Sequence, residues 1–269
     1  MNKLKELLVS SKILSKKLSD FVPKAFDIVG DIAIFNEFPK ELKLKEKIIA
    51  NKLLETHKNI HVVAKKSKKY SGRLRTPKIN VLAGEKRKET IHIESGCKFK
   101  LNIEKCYFST RTGSERLRIA SLIKKNESVL VMFSGIGAFP IIISKKSKAK
   151  KIFGIELNRI ADKYANENIK LNKIKNVDLF KGDVKRILPQ IEKKFDRILM
   201  PLPKSADSYL DLAIKKLKQK GTIHLYMFAS EDEFKDLIKK YKLKFKNVKI
   251  TKCGKYSPRV YRICLDLKI

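Results

Sequence analysis

The sequence predicts an α/β protein in which a small N-terminal α+β domain precedes a Rossmann-like sheet with helices on both faces. Three observations favour this class. The chain has 269 residues, enough for one large domain or two modest ones. From about residue 115, apolar strands alternate with helical segments, as in a mostly parallel sheet covered on both faces. Before that point, short strands, turns and one amphipathic helix follow each other without such a repeat.

The first part is predicted to contain an N-terminal helix over residues 1–20 and a small α+β domain over residues 21–110. The helix prediction rests on leucines at helical spacing. The small domain carries a strand–turn–strand, an amphipathic helix, a further strand, a basic loop and a hairpin that turns at Ser95–Gly96. These segments are, in order, "AFDIVGDIAIF", "KLKEKIIANKLLETHKN", "IHVVAKK", "KKSKKYSGRLRTPK" and "ETIHIESGCKFKLNI".

The second part, residues 111–269, is predicted to hold the larger sheet. Its predicted strands are "SVLVMF", "KIFGIEL", "VDLFKG", "DRILM" and "TIHLYMF". Its predicted helices are "RLRIASLI", "IIISKKSK", "RIADKYANENIKLNK" and "YLDLAIKKLKQKG". The last segment, "FKNVKITKCGKYSPRVYRICLDLKI", is predicted to add an antiparallel hairpin at the edge of the sheet.

Charge is the most pronounced feature of the composition. The chain has 63 lysines and arginines against 28 aspartates and glutamates, a formal net charge of +35. Such a field attracts polyanions, which indicates nucleic acid as the partner. Lysine enrichment also follows from genome composition or thermal adaptation, although adaptation usually raises glutamate as well.

The sequence lacks signals for membranes, export or metal. It has no apolar run of transmembrane length, and its first residues lack a secretory core and cleavage site, so we expect a cytoplasmic protein. The cysteines form no CxxC pair and the histidines lack ligand spacing, which predicts reduced core thiols and no metal site. The cysteines are Cys97, Cys106, Cys253 and Cys264.

Three features at predicted strand ends indicate an adenosine-containing cofactor. Gly135 and Gly137 follow the first strand of the larger sheet, where glycines allow close approach to a ligand and free helix N–H groups. Glu156 ends the second strand and Asp183 follows the third. Pro140 occupies the third glycine position of a dinucleotide motif, which favours S-adenosylmethionine over a pyrophosphate cofactor.

Several ordered motifs resemble those of the archaeal and eukaryotic tRNA guanine-37 N1-methyltransferase family, whose relatives include wyosine-pathway enzymes acting at the same nucleotide. They are "LAGE", "ETIHIESGCKFKLNIEKCYFS", "SERLRIA", "MFSGIGAF", "ENIKLNK", "LPKSA" and "YSPRVYRICLDLKI". The resemblance spans roughly residues 20–269 and implies a class I S-adenosylmethionine-dependent methyltransferase. Longer members carry a further N-terminal domain that inspects the tRNA elbow. We expect this chain to lack that domain, to depend on the anticodon arm around nucleotide 37, and to be a monomer.

The resemblance implies roles for four residues near the reacting atoms. Methylating N1 of guanine requires a base for its proton and a cation for the negative charge that gathers on O6. By motif position, Glu115 resembles the base and Arg75 the cation, while Tyr107 and Phe108 resemble residues beside the methionine moiety and the target base. The alternatives are a solvated helix-terminal carboxylate, a phosphate-contacting cation and core aromatics.

Further site residues complete the prediction. Cofactor contacts are assigned to Tyr107, Phe108, Phe133, Gly135, Gly137, Glu156, Asp183 and Pro203. Contacts with tRNA are assigned to Arg73, Arg111, Arg116, Lys204 and Arg259. Val131 stands where the family usually has aspartate, so the cofactor contacts must come from backbone groups, Glu156 and Asp183.

In "DRILMPLPKSA" a core strand ends at two closely spaced prolines, and one of them departs from the family. The family usually has "NLP", whose asparagine orients the guanine edge, whereas this chain has Pro201 before the shared Pro203. Proline here resembles the archaeal branch that methylates both guanine N1 and C7 of 4-demethylwyosine, giving isowyosine. We therefore place Pro201 among the catalytic-site residues, with simple drift at a strand end as the alternative.

Other functions remain open from the sequence. Guanine-37 N1-methylation without the second reaction is one. A non-enzymatic RNA-binding module would explain the charge but not the glycine turn with Glu156 and Asp183. An aminocarboxypropyl transferase would use the same cofactor on the same fold, but the resemblance implies that this branch lacks the "LPK" stretch.

Overall fold

The computed structural model of the protein describes residues 2–72, 74 and 76–269. Contacts along the chain divide it into two compact units. The first unit comprises Met1–Ile93 and Lys98–Thr110, and the second comprises Glu94–Cys97 and Arg111–Ile269. This division can be set beside the predicted boundary at residue 110, from which it differs by assigning the tip of one hairpin to the second unit.

The first unit is built on a sheet of strand order β1-β2-β3-β4, in which β2 and β3 are parallel and the other neighbours are antiparallel. A separate hairpin pairs β5 with β6. The helices are α1 (Asn2–Ser10), α2 (Lys16–Ser19) and α3 (Glu46–Thr56). The strands are β1 (Asp27–Val29), β2 (Ile32–Phe35), β3 (Val62–Ser71), β4 (Thr76–Gly84), β5 (Glu89–Glu94) and β6 (Cys97–Asn102).

The core of the first unit forms where helical and strand periodicities meet. In α3, Ile49 and Leu53 are four residues apart and therefore share one face, which is fully buried. They pack in one cluster with Phe35 of β2 and Val63 of β3, and with Leu8 of α1. Burying such apolar side chains stabilises the fold by about 1.5–3 kcal/mol each.

The second unit is built on a sheet of strand order β12-β13-β11-β10-β7-β8-β9. The strands from β9 to β11 are parallel, and β13 runs antiparallel to both of its neighbours. The helices are α4 (Gly113–Leu122), α5 (Ala138–Lys146), α6 (Arg159–Leu171), α7 (Val184–Gln190), α8 (Leu210–Lys215) and α9 (Phe234–Lys242). The strands are β7 (Ser128–Met132), β8 (Lys151–Glu156), β9 (Val177–Lys181), β10 (Phe195–Met200), β11 (Leu217–Ser230), β12 (Asn247–Ser257) and β13 (Val260–Lys268).

This topology confirms the predicted fold class and determines where a ligand can bind. Every residue of β7 is buried, as expected for a central parallel strand. The carboxyl ends of β7, β8, β9 and β10 lie at one edge of the sheet, where ligands bind in open α/β folds. The residues that follow these four strands are therefore neighbours, although they are far apart in sequence.

The structure differs from the sequence prediction in five elements. The predicted N-terminal helix over residues 1–20 is two helices, α1 and α2, separated by a turn in which Lys12 has a φ of 53°. The predicted basic loop is largely strand, because β3 continues to Ser71 and β4 resumes at Thr76. The predicted helix over 209–221 ends at Lys215, since Leu217 is buried and already pairs with Phe195 of β10. The sequence prediction missed α7 and α9. The first has seven residues and contains Pro189, which masks its helical signal.

Two further observations bear on the predicted absences. The four cysteines are buried thiols, consistent with small hydrophobic core residues. Within the described part of the chain, no helix combines the length and apolar character needed to cross a bilayer.

Candidate active site

The turn between β7 and α5 has an unusual backbone. Phe133, Gly135 and Gly137 have φ values of 62°, 57° and 82°, all in the left-handed region. Phe133 is costly there because it has a side chain. Its ring packs edge-on against Tyr209 with centroids 5.0 Å apart. A Cβ atom on Gly137 would come within 3.3 Å of Ala165 in α6, so this glycine permits close helix packing.

Glu156 ends β8 and faces this turn. Its Oε2 accepts a hydrogen bond from the backbone N–H of Gly135 at 2.7 Å, and its Oε1 accepts one from Asn158 at 2.7 Å. Burial raises the pKa of Glu156, and the backbone hydrogen bonds only partly offset this. The backbone N–H of Leu157 also bonds this carboxylate, so three of its four lone pairs are used and one can accept a hydrogen bond from a ribose hydroxyl. Glu156 therefore holds the glycine turn in place and offers an acceptor to a nucleoside.

The third strand end and the turn itself add polar groups. Asp183 follows β9 and caps α7 by accepting a hydrogen bond from the Lys185 N–H at 2.8 Å. Ser134 Oγ is buried and has no hydrogen-bond partner among the described residues, a costly state that a polar ligand or water would relieve. Together with Glu156, these groups fit an adenosine-containing ligand at this edge.

Val131 supplies no contact to such a ligand through its side chain. It is fully buried in an apolar cluster with Ile119 of α4 and Ile143 of α5. The side chain thus contributes to packing, and the expectation that the cofactor contacts come from backbone groups, Glu156 and Asp183 stays a prediction.

The two prolines lie where β10 ends and the chain leaves the sheet. Met200 pairs with Leu225 of β11, and Pro201 follows without an N–H group to continue the ladder. The N–H of Leu202 donates to the carbonyl of Met200 at 2.8 Å, so the chain leaves the sheet in a tight turn at Pro201. Pro201 and Pro203 are half-buried, while Lys204 is exposed at the same edge.

Glu115 lies in the first turn of α4 and is only 3% exposed. Its Oε2 accepts from Arg118 Nε and its Oε1 from Arg118 Nη2, both at 2.7 Å. The hydroxyl of Tyr226 donates to Oε1 at 2.6 Å. Because Met200 pairs with Leu225, Tyr226 is at the level of Pro201 in the sheet. Glu115 therefore lies near the carboxyl-end edge, within a buried ion pair.

A buried polar network continues from Glu115 along the sheet. Arg118 Nη1 donates to Asp266 Oδ2 at 2.8 Å, and His224 Nδ1 lies 2.6 Å from Asp266 Oδ1. Burial lowers the pKa of His224. The pKa of Asp266 is also lowered: burial alone would raise it, but hydrogen bonds from His224 and Arg118 outweigh that effect. We call Glu115, Arg118, Asp266 and His224 the α4 network.

The α4 network was not predicted from the sequence, although the sequence contains a signal for it. His224 and Asp266 interrupt the apolar runs "TIHLYMF" and "ICLDLKI", and a polar residue inside a buried strand needs a partner. His224, Asp266 and Cys264 also bring potential metal ligands within 4.8 Å of one another. Arg118 donates to Asp266, and Arg197 contacts His224, so both of these potential ligands are already engaged by arginine side chains.

The predicted tRNA-binding residues differ in their surroundings. Arg116 is 3% exposed and forms a bidentate ion pair with Glu94, with Nε donating to Oε1 at 2.7 Å. In this conformation its guanidinium is engaged within the second unit, and its contact with tRNA stays a prediction. Arg111 is exposed, as is Arg259 in the turn between β12 and β13. Arg73 and Arg75 lie outside the described residues.

Tyr107 and Phe108 belong to the first unit, after β6. Both are half-buried. The ring of Phe108 lies 5.2 Å from His92 and 6.2 Å from Phe99, so it packs among aromatic neighbours of its own unit. Their roles beside cofactor and target base stay predictions.

Comparison with known families assigns both parts of the chain. The TRM5/TYW2 methyltransferase domain matches residues 90–252, and the TYW2 N-terminal domain matches residues 4–87. The chain belongs to the TRM5/TYW2 methyltransferase family. This finding confirms the resemblance seen in the motifs.

Curated relatives carry names from several branches of the TRM5/TYW2 family. The tRNA (guanine(37)-N(1))-methyltransferase Trm5b of Pyrococcus abyssi is 39% identical, over 94% of this chain and 77% of that protein. The tRNA (guanine(37)-N(1))/4-demethylwyosine(37)-methyltransferase Taw22 of Nanoarchaeum equitans is 32% identical, over 90% of this chain and 99% of the relative. A tRNA(Phe) (4-demethylwyosine(37)-C(7)) aminocarboxypropyltransferase of Methanocaldococcus jannaschii is also 32% identical, over 89% and 96%.

Solved structures of the TRM5/TYW2 family share the fold. A complex of aTrm5 and tRNALeu superposes with a TM-score of 0.85 at 31% identity, covering 99% of this chain and 78% of that chain. The structure of M. jannaschii TYW2 in complex with AdoMet gives a TM-score of 0.67 at 28% identity, covering 91% and 98%.

Proposed function

We propose that the chain is an S-adenosylmethionine-dependent tRNA methyltransferase that acts at nucleotide 37. It methylates N1 of guanine and also C7 of 4-demethylwyosine. Family membership, the glycine turn and the carboxylate of Glu156 support S-adenosylmethionine as the cofactor. The formal net charge of +35 and the tRNA named with one structural relative support the substrate. The anticodon arm, which contains nucleotide 37, is the part of the tRNA that must reach the carboxyl-end edge.

Methyl transfer to N1 of guanine requires several steps in which this chain's own residues take part. When bound, S-adenosylmethionine supplies a methyl carbon on a sulfonium sulfur, and the electrons of the carbon–sulfur bond return to sulfur. Glu115 takes the proton of N1, so that the nitrogen's electron pair can form the new bond. Arg75 is proposed to stabilise the negative charge that gathers on O6. The left-handed turn from Phe133 to Gly137 and the carboxylate of Glu156 bind and orient the nucleoside part of the cofactor.

The proposed methylation of 4-demethylwyosine rests on Pro201. It ends β10 at the edge where the four parallel strands terminate, and it offers neither an N–H nor a side-chain amide to a base. A rim without that amide has lost one polar contact that would select guanine's edge, and it is more apolar. Such a rim accommodates the bulkier tricyclic base of 4-demethylwyosine as well.

The test compares wild type with Pro201→Asn on two tRNA(Phe) substrates. One carries guanine at position 37 and the other 4-demethylwyosine. We expect the variant to retain N1-methylation of guanine and to lose most methylation of 4-demethylwyosine, as measured by mass spectrometry of the nucleosides. Pro189→Asn, near the C-terminal end of α7, is the matched proline control and should leave both reactions unchanged. The dual specificity is refuted if wild type never methylates 4-demethylwyosine, or if Pro201→Asn alters both reactions alike.

Transfer of the aminocarboxypropyl group is the second candidate, favoured by the relatives that carry that name. The two reactions differ in which carbon of the sulfonium is attacked. Methyl transfer leaves S-adenosylhomocysteine, whereas aminocarboxypropyl transfer leaves methylthioadenosine. Chromatography of the spent cofactor after reaction with each tRNA therefore separates them, and we expect S-adenosylhomocysteine in both cases.

A further inference from the structure

The hydrogen bonds around Glu115 are distributed unevenly over its two carboxylate oxygens. A carboxylate has two lone pairs on each oxygen. Arg118 occupies one on each oxygen, and the hydroxyl of Tyr226 occupies the second on Oε1. The thiol of Cys253 on β12 is a further, weaker hydrogen-bonding neighbour of Glu115. Among the N–H and O–H donors, Oε2 accepts from one and Oε1 from two, so Oε2 is the oxygen that can take a proton from the substrate with the smaller loss of existing hydrogen bonds.

Arg118 is shared between two carboxylates. Its Nε and Nη2 bond Glu115, while its Nη1 bonds Asp266 at 2.8 Å and its Nη2 also reaches Asp266 at 3.3 Å. Planar guanidinium groups suit such a double bridge because their donors point in fixed directions. Asp266 thus holds the guanidinium in the orientation that pins Glu115.

Most groups around Glu115 are neutral, and Arg197, which contacts His224, is paired with Glu127. Burial raises the pKa values of Tyr226 and Cys264, so both stay neutral, and burial keeps His224 neutral by lowering its pKa. The thiol of Cys253 on β12 has a pKa raised by burial and by the charge of Glu115. From α5, the ring of Phe139 faces Tyr226.

The charged groups that remain are the two carboxylates of Glu115 and Asp266 and the guanidinium of Arg118. Their sum is one negative charge, which becomes zero when Glu115 takes a proton. Asp266 then remains as the partner of Arg118, so proton uptake does not leave a buried cation unpaired.

We infer that Arg118 and Asp266 are positioning residues for methyl transfer: they hold Glu115 with Oε2 ready for the substrate proton and balance the charge after that proton arrives. This inference rests on the proposed function, in which Glu115 is the base. The inference also gives a functional role to the C-terminal strand β13, which the sequence predicted only as part of an antiparallel hairpin.

The test measures single-turnover methylation of guanine-37 tRNA against pH for wild type, Asp266→Asn and Tyr226→Phe. In Asp266→Asn, the charge of Arg118 opposes the incoming proton without compensation. We expect the rate to fall about tenfold and the acidic limb of the profile to move to lower pH by about one unit. In Tyr226→Phe, a donor to Oε1 is lost while the ring remains, so the acidic limb should move to higher pH.

The two opposite shifts distinguish positioning from simple structural support. Glu46→Gln is the matched control, because it breaks a comparably buried ion pair, with Lys65, in the first unit. It should leave the profile unchanged. The tRNA affinity and the circular dichroism of each variant should match wild type. If Asp266→Asn fails to fold, Asp266→Glu replaces it: the charge is kept while the guanidinium of Arg118 is displaced, so the rate should fall with the acidic limb in place, and an unchanged rate would overturn the positioning role.

The outcomes separate this inference from the proposed function. Unshifted limbs in both folded variants, or shifts in the same direction, would overturn the positioning role while leaving methylation by wild type intact. A wild-type chain that transfers no methyl group to either tRNA would overturn the proposed function itself and the inference with it.

Discussion

At the scale of single residues, Glu115 shows how burial constrains a candidate base. Arg118 and Tyr226 hold its carboxylate in one orientation and exclude solvent, with 3% of the residue exposed. The same contacts describe a structural ion pair, which is expensive to break inside a protein. The two roles differ in what happens when the carboxylate is replaced by an amide of equal size.

Glu115→Gln should therefore lower the rate of methyl transfer by a factor on the order of 10² to 10⁴, because an amide cannot take the N1 proton. The affinity for tRNA should stay nearly unchanged, since Glu115 makes no contact with phosphates in this account. Single-turnover rates and filter binding at one salt concentration measure the two quantities. Loss of binding in proportion to the rate would indicate a structural role for Glu115.

At the scale of elements, the sequence predicted the strands and the edge where the site lies, but not how side chains connect them. The alternation of apolar strands and helices was sufficient to predict β7 to β10. The signal is strongest for β7 and β10, which are buried on both faces. The early start of β11 was missed because pairing with β10 overrides the local helix preference at Leu217. The short helix α7 was missed because it contains Pro189. The contact between Arg118 and Asp266 joins residues far apart in the chain and leaves no local pattern.

Acid should weaken the contacts that join β11, β13 and α4. The pKa of His224 is lowered by burial, so its contribution to stability is complete above its unfolded value of about 6.5 and is lost as the pH falls below it. The lowered pKa of Asp266 adds a second loss below its ordinary value of 3.8. Urea unfolding at several pH values should show stability falling by up to about 1.4 kcal/mol per pH unit between pH 6.5 and 5.

His224→Gln provides the comparison, because glutamine does not titrate in this range. The slope between pH 6.5 and 5 should be reduced in the variant, while the steeper loss near pH 4 persists. Identical slopes in the two proteins would show that His224 is not the group responsible.

At the scale of the whole molecule, the net charge of +35 should govern how tRNA binds. Contacts between lysine or arginine and phosphates release counterions, so affinity falls with added salt. For six or more such contacts we expect a fall on the order of 10³-fold between about 50 and 200 mM salt, measured by filter binding. Binding of S-adenosylmethionine should change far less, and Arg259→Gln should reduce the salt slope by about one unit. A flat response for tRNA would contradict the assignment of the charge to a polyanion.

The proposed activity is tested most directly by mapping the nucleotide that receives the methyl group. Wild-type protein is incubated with methyl-labelled S-adenosylmethionine and either of two tRNA transcripts, identical except for guanine or adenine at position 37. We expect one labelled methyl group on N1 of guanine 37 and none on the adenine transcript, as established by nuclease mapping and mass spectrometry. Equal labelling of both transcripts, or no labelling of the guanine transcript, would contradict the proposed activity.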